Sequence, residues 1–212
     1  MATTKLEKAA SLDLDQQPLI VHLKPVLNLT EDQFFQFCQI NRDLRIERNA
    51  RGELIVMPPA GGETGDRDAE ITMQLRSWAK RDSTGATFGS STGFLLPNNA
   101  VRSPDAAWVL KSRLAKLTAK QKKKFLPLCP DFVIELRSPT DSLNILKEKM
   151  QEYLDNGLRL GWLIDPDRRR VYIYRPEVPI QQLDDPETVS GDPVLPGFVL
   201  DLRELWGTIR EA

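Results

Sequence analysis

The chain has 212 residues, of which 41% are hydrophobic and 28% charged, a composition that is ordinary for a soluble globular protein with one sizeable domain. A net charge of −1 excludes a global basic field, so binding of nucleic acid would need a local patch. Two cysteines and one histidine are too few for a zinc site. The start has no signal-peptide pattern and no apolar run reaches about 18 residues, so we expect a cytoplasmic protein that does not contact membranes.

The first part of the chain predicts an arm followed by a helix. Residues 1–27 are mixed in charge and include a Gln-Gln-Pro run, which predicts a loosely ordered N-terminal arm. The domain itself is predicted over residues 28–212. Thr30, with Gln33 three residues later, has the spacing of a capping box and predicts where the first helix begins.

A hairpin and a second helix are predicted next. Residues 44–48 and 53–57 have the composition of strands and flank a turn, which predicts a hairpin. A helix is predicted over residues 63–81, because its apolar residues fall on one stripe at helical spacing. The stripe consists of Ile71, Leu75, Trp78 and Ala79. Two short strands are predicted at 87–91 and 93–96.

The second half of the chain combines acidic strands, a basic run and a helix. Its predicted elements are a strand at 103–110, a basic run at 111–124, a strand within 129–140, a helix at 143–156, strands at 162–165 and 171–174, and a short helix at 202–209. This order of elements predicts an α/β fold of the α+β kind, with a mixed sheet flanked by helices.

Two carboxylates on the predicted strands are candidates for a metal site. Asp105 begins one strand, and Glu135 lies in the middle of another, directly before Leu136. An acid in an apolar strand costs free energy unless a cation neutralises it. Oxygen ligands suit hard divalent cations. Asp105 and Glu135, together with the backbone carbonyl of Leu136, are therefore predicted to hold Mg²⁺ or Mn²⁺.

A lysine on the following helix is the candidate partner of these acids. A helical wheel puts Lys149 about 60° from the middle of the apolar stripe and Lys147 about 100° away. A lysine at the inward edge of a buried face needs an anionic partner, and Glu135 is the natural one. Burial can lower the pKa of a lysine, so Lys149 could orient or help to deprotonate a metal-bound water in phosphodiester hydrolysis.

Structural roles are the alternative for both acids. Asp105 follows a proline and could simply cap or turn the chain before its strand. Glu135 could form a purely structural salt bridge with Arg137 or Lys149. Considered alone, Lys149 could be an ordinary surface lysine, so it is a candidate only because of its expected pairing with Glu135.

Two further features have competing interpretations. The basic run at 111–124 suits a solvated helix face, or a surface that follows phosphates if the run lines the same cleft as Asp105. Asp165 ends a predicted strand before a proline and is expected to be a turn residue rather than a ligand.

Six motifs occur along the chain in the order G-E-L-I-V-M-P-P (52–59), S-T-G-F-L-L-P (91–97), V-R-S-P-D (101–105), P-D-F-V-I-E-L-R-S-P-T-D (130–141), K-E-K-M-Q-E-Y-L-D-N-G (147–157) and G-W-L-I-D-P (161–166). Together they resemble the Uma2 family, the DUF820 group of restriction-endonuclease-like proteins. The resemblance covers roughly residues 28–206. It implies a restriction endonuclease-like PD-(D/E)XK core, in which a mixed central sheet lies between helices.

The resemblance also implies metal-dependent cleavage of nucleic acid, and it maps the acids of the family onto Asp105 and Glu135. The lysine position two residues after the second acid holds Arg137 here, and an arginine hardly deprotonates. Some members of the superfamily carry this lysine on the following helix, which agrees with Lys149.

A further acid could come from the helix at 63–81. Glu63 and Glu70 are the two candidates, and neither points cleanly inward on a helical wheel, so both stay open with a slight preference for Glu63. The predicted catalytic set is therefore Asp105, Glu135, Lys149 and Glu63.

Three classes of function follow from these residues. The leading hypothesis is a Mg²⁺- or Mn²⁺-dependent endonuclease that acts on DNA. The alternative is a catalytically degraded module on the same fold that binds nucleic acid or another protein, and a third class is an oligomeric scaffold. A homodimer is predicted, because a two-fold axis suits an enzyme that cuts both strands.

Overall fold

The computed structural model of the protein describes residues 18–207. Residues 1–17 of the predicted arm, and the end of the predicted last helix from residue 208 onward, lie outside the described residues. Within 18–207 the chain forms two β-sheets, a two-stranded ribbon and five α-helices. None of these helices is both long and apolar enough to cross a lipid bilayer.

Short strands and helices follow one another along this range. The strands are β1 (Leu19–Val21), β2 (Arg45–Arg48), β3 (Leu54–Met57), β4 (Gly85–Gly89), β5 (Phe94–Leu95), β6 (Val101–Arg102), β7 (Ala106–Leu110), β8 (Phe132–Leu136), β9 (Leu160–Asp165), β10 (Arg170–Tyr174), β11 (Gln181–Asp184), β12 (Thr188–Ser190) and β13 (Val199–Asp201). The helices are α1 (Glu31–Ile40), α2 (Gly62–Asp82), α3 (Lys111–Leu114), α4 (Ala119–Lys122) and α5 (Leu143–Asp155).

The first sheet is antiparallel, with its strands in the order β1-β3-β2-β6-β5. β2 and β3 form the predicted hairpin, with Ile46 opposite Val56. β1 pairs with β3, so part of the segment expected to be a loose arm belongs to this sheet. The capping box predicted at Thr30 is present. The Thr30 hydroxyl accepts a hydrogen bond from the Gln33 backbone amide, and the Gln33 side-chain oxygen accepts one from the Thr30 backbone amide.

The second sheet is mixed and carries the core of the protein. Its six strands lie in the order β11-β10-β9-β8-β7-β4, and β8 and β9 are parallel whereas the other pairs are antiparallel. α5 connects the two parallel strands, as a crossover between parallel strands requires. The strands β12 and β13 form the separate ribbon.

The two faces of this sheet are covered by different helices. In β8 the side chains of Phe132, Ile134 and Leu136 pack with α2, whereas Val133 packs with α5. Side chains alternate between the faces of a strand, so Glu135 shares the α5 face with Val133. The only charged residue of β8 is thereby directed at the helix that carries Lys149.

The basic run at 111–124 was predicted as a solvated helix face or, if it lined the cleft of Asp105, as a surface that follows phosphates. Most of its lysines are exposed, as the first interpretation expects, but the run does not form one helix and does not reach Asp105, so the second is wrong. The run is split into α3 and α4, each four residues long. Thr118 starts α4 with a capping box to Gln121, and that local signal breaks the run. The run also begins where β7 ends, about 20 Å along the strand from Asp105.

The predicted helix at 202–209 is not formed within the described residues, where positions 203–206 are a turn. Hydrogen bonds from α2 hold this turn in place. Arg67 of α2 donates from Nε to the Leu205 carbonyl at 2.9 Å and from Nη2 to the Gly207 carbonyl at 2.8 Å. The buried Leu205 is thereby held in the core against α2.

Gly85 provides a test of packing in the second sheet. A Cβ atom at this position would overlap the indole of Trp108, which is buried against Trp78. Gly85→Ala is therefore expected to lower the free energy of unfolding by about 1–3 kcal/mol in urea denaturation. Gly89 lies on the same strand, and a Cβ atom added there would meet no other atom within 4 Å, so Gly89→Ala is the control and should change stability far less. Equal losses in both variants would contradict this account.

Candidate active site

A cavity of about 610 Å³ lies where the first sheet meets the end of the second. Its charged lining residues come from both sheets and from two helices. They include Arg45 of β2, Asp68 of α2, Asp105 before β7, Glu135 of β8 and Lys149 of α5. All four predicted catalytic residues line this cavity, with Glu63 of α2 at its rim.

Glu135 is buried and fully hydrogen-bonded. The Lys149 Nζ atom lies 2.9 Å from Oε1 and 3.0 Å from Oε2, and the Tyr153 hydroxyl donates to Oε1 at 2.9 Å. Burial raises the pKa of Glu135 to about 7; Lys149 opposes this shift, while Asp105 adds to it. Glu135 can therefore take up or release a proton near neutral pH.

Lys149 lies inward, as its position at the edge of the helical stripe predicted, and is 9% exposed. Besides Glu135 it donates to Glu47 Oε1 at 3.0 Å. Burial alone would lower the pKa of Lys149, but the two carboxylates together raise it above its ordinary value. This direction favours a protonated ammonium that neutralises charge over the general base that the sequence suggested.

Glu47 is a member of the site that the sequence analysis missed. It is buried, and besides Lys149 it accepts from the Ser103 amide at 2.9 Å and from Arg102 Nη1 at 3.1 Å. Burial would raise the pKa of Glu47, but Lys149 and Arg102 outweigh it and lower the pKa. A signal was present in the sequence, since Arg45 and Glu47 alternate with Ile46 and so share one face of the predicted strand.

Asp105 lies beside Glu135 because β7 and β8 are antiparallel neighbours. Its Oδ2 atom accepts from the Leu136 amide at 2.8 Å, and its Oδ1 atom accepts from Arg45 Nη2 at 3.0 Å. The backbone of Leu136 thus fixes the carboxylate, and Leu136 itself lines the cavity. The roles of Asp105, Glu135 and the Leu136 carbonyl as metal ligands stay predictions.

Asp68 of α2 is a buried acid of the cavity that the sequence analysis also missed. Its Oδ1 atom is buried without a hydrogen-bond partner among the described residues. Burial raises the pKa of Asp68 to about 7, and Asp105 contributes in the same direction. Glu63 lies at the rim, half-exposed and 3.6 Å from Arg67, and Glu70 accepts from a neighbouring glutamine of α2.

Arg137, two residues after Glu135, is held away from that carboxylate. Its Nη1 atom lies 3.0 and 3.1 Å from the two carboxylate oxygens of Asp165. Asp165 is fully buried, so it is an ion-pair partner and not the turn residue predicted from its position before a proline. Because Arg137 pairs with Asp165, the ion-pair partner of Glu135 is Lys149 and not Arg137.

A hard divalent cation fits the donor set of the cavity. Five carboxylates line the cavity together with two cations, Arg45 and Lys149; the acids are Glu63, Asp68, Asp105, Glu135 and Asp141. Oxygen ligands therefore outnumber the cations, and the Oδ1 atom of Asp68 has no donor among the described residues. Within 18–207 no three acidic, histidine or cysteine side chains converge enough to hold a metal by themselves. Backbone oxygen or water would have to complete the coordination.

Comparison with known proteins identifies the family. The family model for Uma2, described as "Putative restriction endonuclease", matches residues 31–203. The chain belongs to the Uma2 family. A crystal structure described as a putative nuclease belonging to DUF820, from Anabaena variabilis, has 22% sequence identity and a TM-score of 0.67, with 84% of this chain and 98% of that chain covered. This likeness confirms the predicted restriction endonuclease-like fold. No curated protein is significantly similar to this Uma2 chain.

Asp68 makes the metal-free protein sensitive to pH. The pKa of Asp68 is 3.8 in the unfolded chain and about 7 in the folded one, so between these values the folded state binds more protons and stability falls as pH rises. Asp68→Asn removes this loss. In EDTA we expect it to raise the free energy of unfolding at pH 8 by about 1–3 kcal/mol, discounted for partial exposure, with no gain at pH 4.

The exposed Asp66 of the same helix supplies the control for this experiment. Asp66→Asn should leave the dependence of stability on pH close to that of the unmodified protein. A gain for Asp68→Asn that is the same at pH 4 and pH 8 would show that burial of an ionised Asp68 is not the cause.

Proposed function

We propose that this Uma2 protein is a metal-dependent endonuclease that hydrolyses phosphodiester bonds of DNA. The observation that carries the proposal is the buried Lys149–Glu135 pair, with N–O distances of 2.9 and 3.0 Å, beside Asp105 in an open cavity. Acids on two adjacent strands can bind a hard cation, and a nearby lysine can stabilise negative charge on the scissile phosphate. Membership of the Uma2 family supports the same reaction class.

Asp105 and Glu135, with the Leu136 carbonyl, would hold Mg²⁺ or Mn²⁺, and Asp68 is available as a further oxygen ligand. When bound, such a cation lowers the pKa of water and stabilises charge on the scissile phosphate. The excess of carboxylates over cations in the cavity makes a metal necessary for this chemistry, because a phosphodiester would otherwise be repelled.

The residues of the chain itself have separate tasks in this proposal. Lys149 supplies a fixed positive charge next to the reacting groups, since its two carboxylate partners keep it protonated. Glu135 would bind the cation as a carboxylate, and Lys149 stabilises its negative charge. The Tyr153 hydroxyl fixes the orientation of the Glu135 carboxylate. Glu63, at the rim, stays a predicted contributor.

The proposal is tested by plasmid cleavage in the presence of Mn²⁺. Lys149→Met should lower the rate by about 100-fold or more, because charge stabilisation at the reacting centre is lost. Lys147→Met is the matched control. Lys147 lies on the same helix, with its Nζ atom 4.5 Å from the ring centre of Tyr172, so the variant protein should cleave DNA at the normal rate. Asp105→Ala and Glu135→Gln should be inactive. Folding of each variant is checked by thermal unfolding.

Other outcomes distinguish the remaining hypotheses. Cleavage that survives unchanged in Asp105→Ala and Glu135→Gln would refute this site. DNA binding without cleavage in any metal would favour the degraded binding module. The homodimer stays a prediction, and sedimentation of the full chain with and without DNA measures it.

A further inference from the structure

Arg45 is a cavity residue that pairs with Asp105 but keeps one buried donor without a partner among the described residues. It projects from β2 into the cavity beside Glu47, while the neighbouring Ile46 packs in the core of the first sheet. Its Nη2 atom donates to Asp105 Oδ1 at 3.0 Å and to the Ser103 carbonyl at 2.9 Å. Its Nε atom is buried without a partner among the described residues.

We propose that Arg45 is the built-in counter-ion of the metal site, holding Asp105 in the metal-free protein and yielding it when a divalent cation binds. Arg45 thereby sets the affinity for the metal. This inference rests on the proposed metal-dependent function and adds a residue that positions Asp105 and competes with the cation.

The bonding of Asp105 shows where competition would occur. Its Oδ2 atom accepts from the backbone amide of Leu136, which cannot move without disturbing β8. The other oxygen, Oδ1, accepts from Arg45. A cation that binds Asp105 through Oδ1 must therefore replace the guanidinium, because two positive charges repel each other strongly in a half-buried cavity.

Of the cations in or next to the cavity, Arg45 is the one able to leave. Lys149 is 9% exposed and bound to two carboxylates, and the side chain of Arg102 is 11% exposed and bound to Glu47 and Glu152. The Arg45 side chain is 34% exposed and has one carboxylate partner. Its unpaired Nε atom means that the guanidinium gives up few hydrogen bonds when it swings toward solvent.

Asp68 strengthens the case for an exchange of cations. Asp68 lines the same cavity as Asp105 and Arg45, and its Oδ1 atom is buried without a hydrogen-bond partner among the described residues. Removal of the guanidinium without replacement would leave Asp68 and Asp105 facing each other as like charges. An incoming divalent cation is the replacement that restores the balance.

The test measures Mn²⁺ affinity by calorimetry and thermal stability in EDTA. Arg45→Met should bind Mn²⁺ on the order of tenfold more tightly than the unmodified protein, because the competing charge is gone. The same variant should unfold at a lower temperature in EDTA and show a larger rise in Tm on addition of Mn²⁺. Arg45→Lys keeps the charge and should have an affinity between the two; Arg45→Gln serves if the methionine variant does not fold.

Arg48 supplies the matched control on the same strand. It donates to the carbonyls of Leu29 and Asn99 and packs over the ring of Phe34, away from the cavity. Arg48→Met should lower Tm in EDTA while leaving Mn²⁺ affinity unchanged. A purely structural role for Arg45 would give this same result.

Each outcome separates the inference from the proposed function. Equal or weaker Mn²⁺ binding by Arg45→Met overturns the counter-ion role and leaves the proposed nuclease untouched. Tighter binding without DNA cleavage by any variant supports Arg45 as counter-ion and refutes the nuclease. Absence of Mn²⁺ binding in every variant overturns both.

Discussion

The ammonium of Lys149, shared between Glu135 and Glu47, is the interaction on which the site depends. Its three residues come from α5, the second sheet and the first sheet, and all are buried. Removing one partner from a buried ion pair costs about 3–5 kcal/mol, because the other charge is left without compensation. The cluster is therefore stable only as a set, and it joins the two sheets at the place where the cavity opens.

The topology of the second sheet explains why the acids meet there. β7 and β8 are antiparallel, so the start of one lies beside the end of the other, and Asp105 reaches the Leu136 amide. The parallel pair β8 and β9 requires a crossover, and the connecting helix α5 returns over the face that carries Glu135. Asp105 and Glu135 thus both find their partners on elements that are neighbours in the fold.

Local patterns were sufficient for the parts of the fold and site that depend on nearby residues. The capping box at Thr30, the hairpin and the inward side of Lys149 all follow from spacing within one element or between neighbouring ones. Glu47 and Arg45 were missed because their meaning comes from distant partners. Glu47 binds a lysine 102 residues away, and Arg45 binds an aspartate 60 residues away.

Asp68 was missed although a local signal was present. It lies three residues before Ile71 and seven before Leu75, so it continues the stripe of α2 that the helical spacing predicted. The turn that replaces the last predicted helix within the described residues depends instead on a distant partner, because Arg67 bonds to the carbonyl of Leu205, 138 residues away. A sequence pattern carries no information on that contact.

The ion pair between Arg137 and Asp165 limits which side chain position 137 can carry in this protein. A lysine there lacks the planar guanidinium that contacts both oxygens of the fully buried Asp165 carboxylate. A lysine that turned toward Glu135 instead would leave Asp165 without the closer of its two arginine partners. Moving the catalytic lysine from α5 to position 137 would therefore require a compensating substitution at position 165.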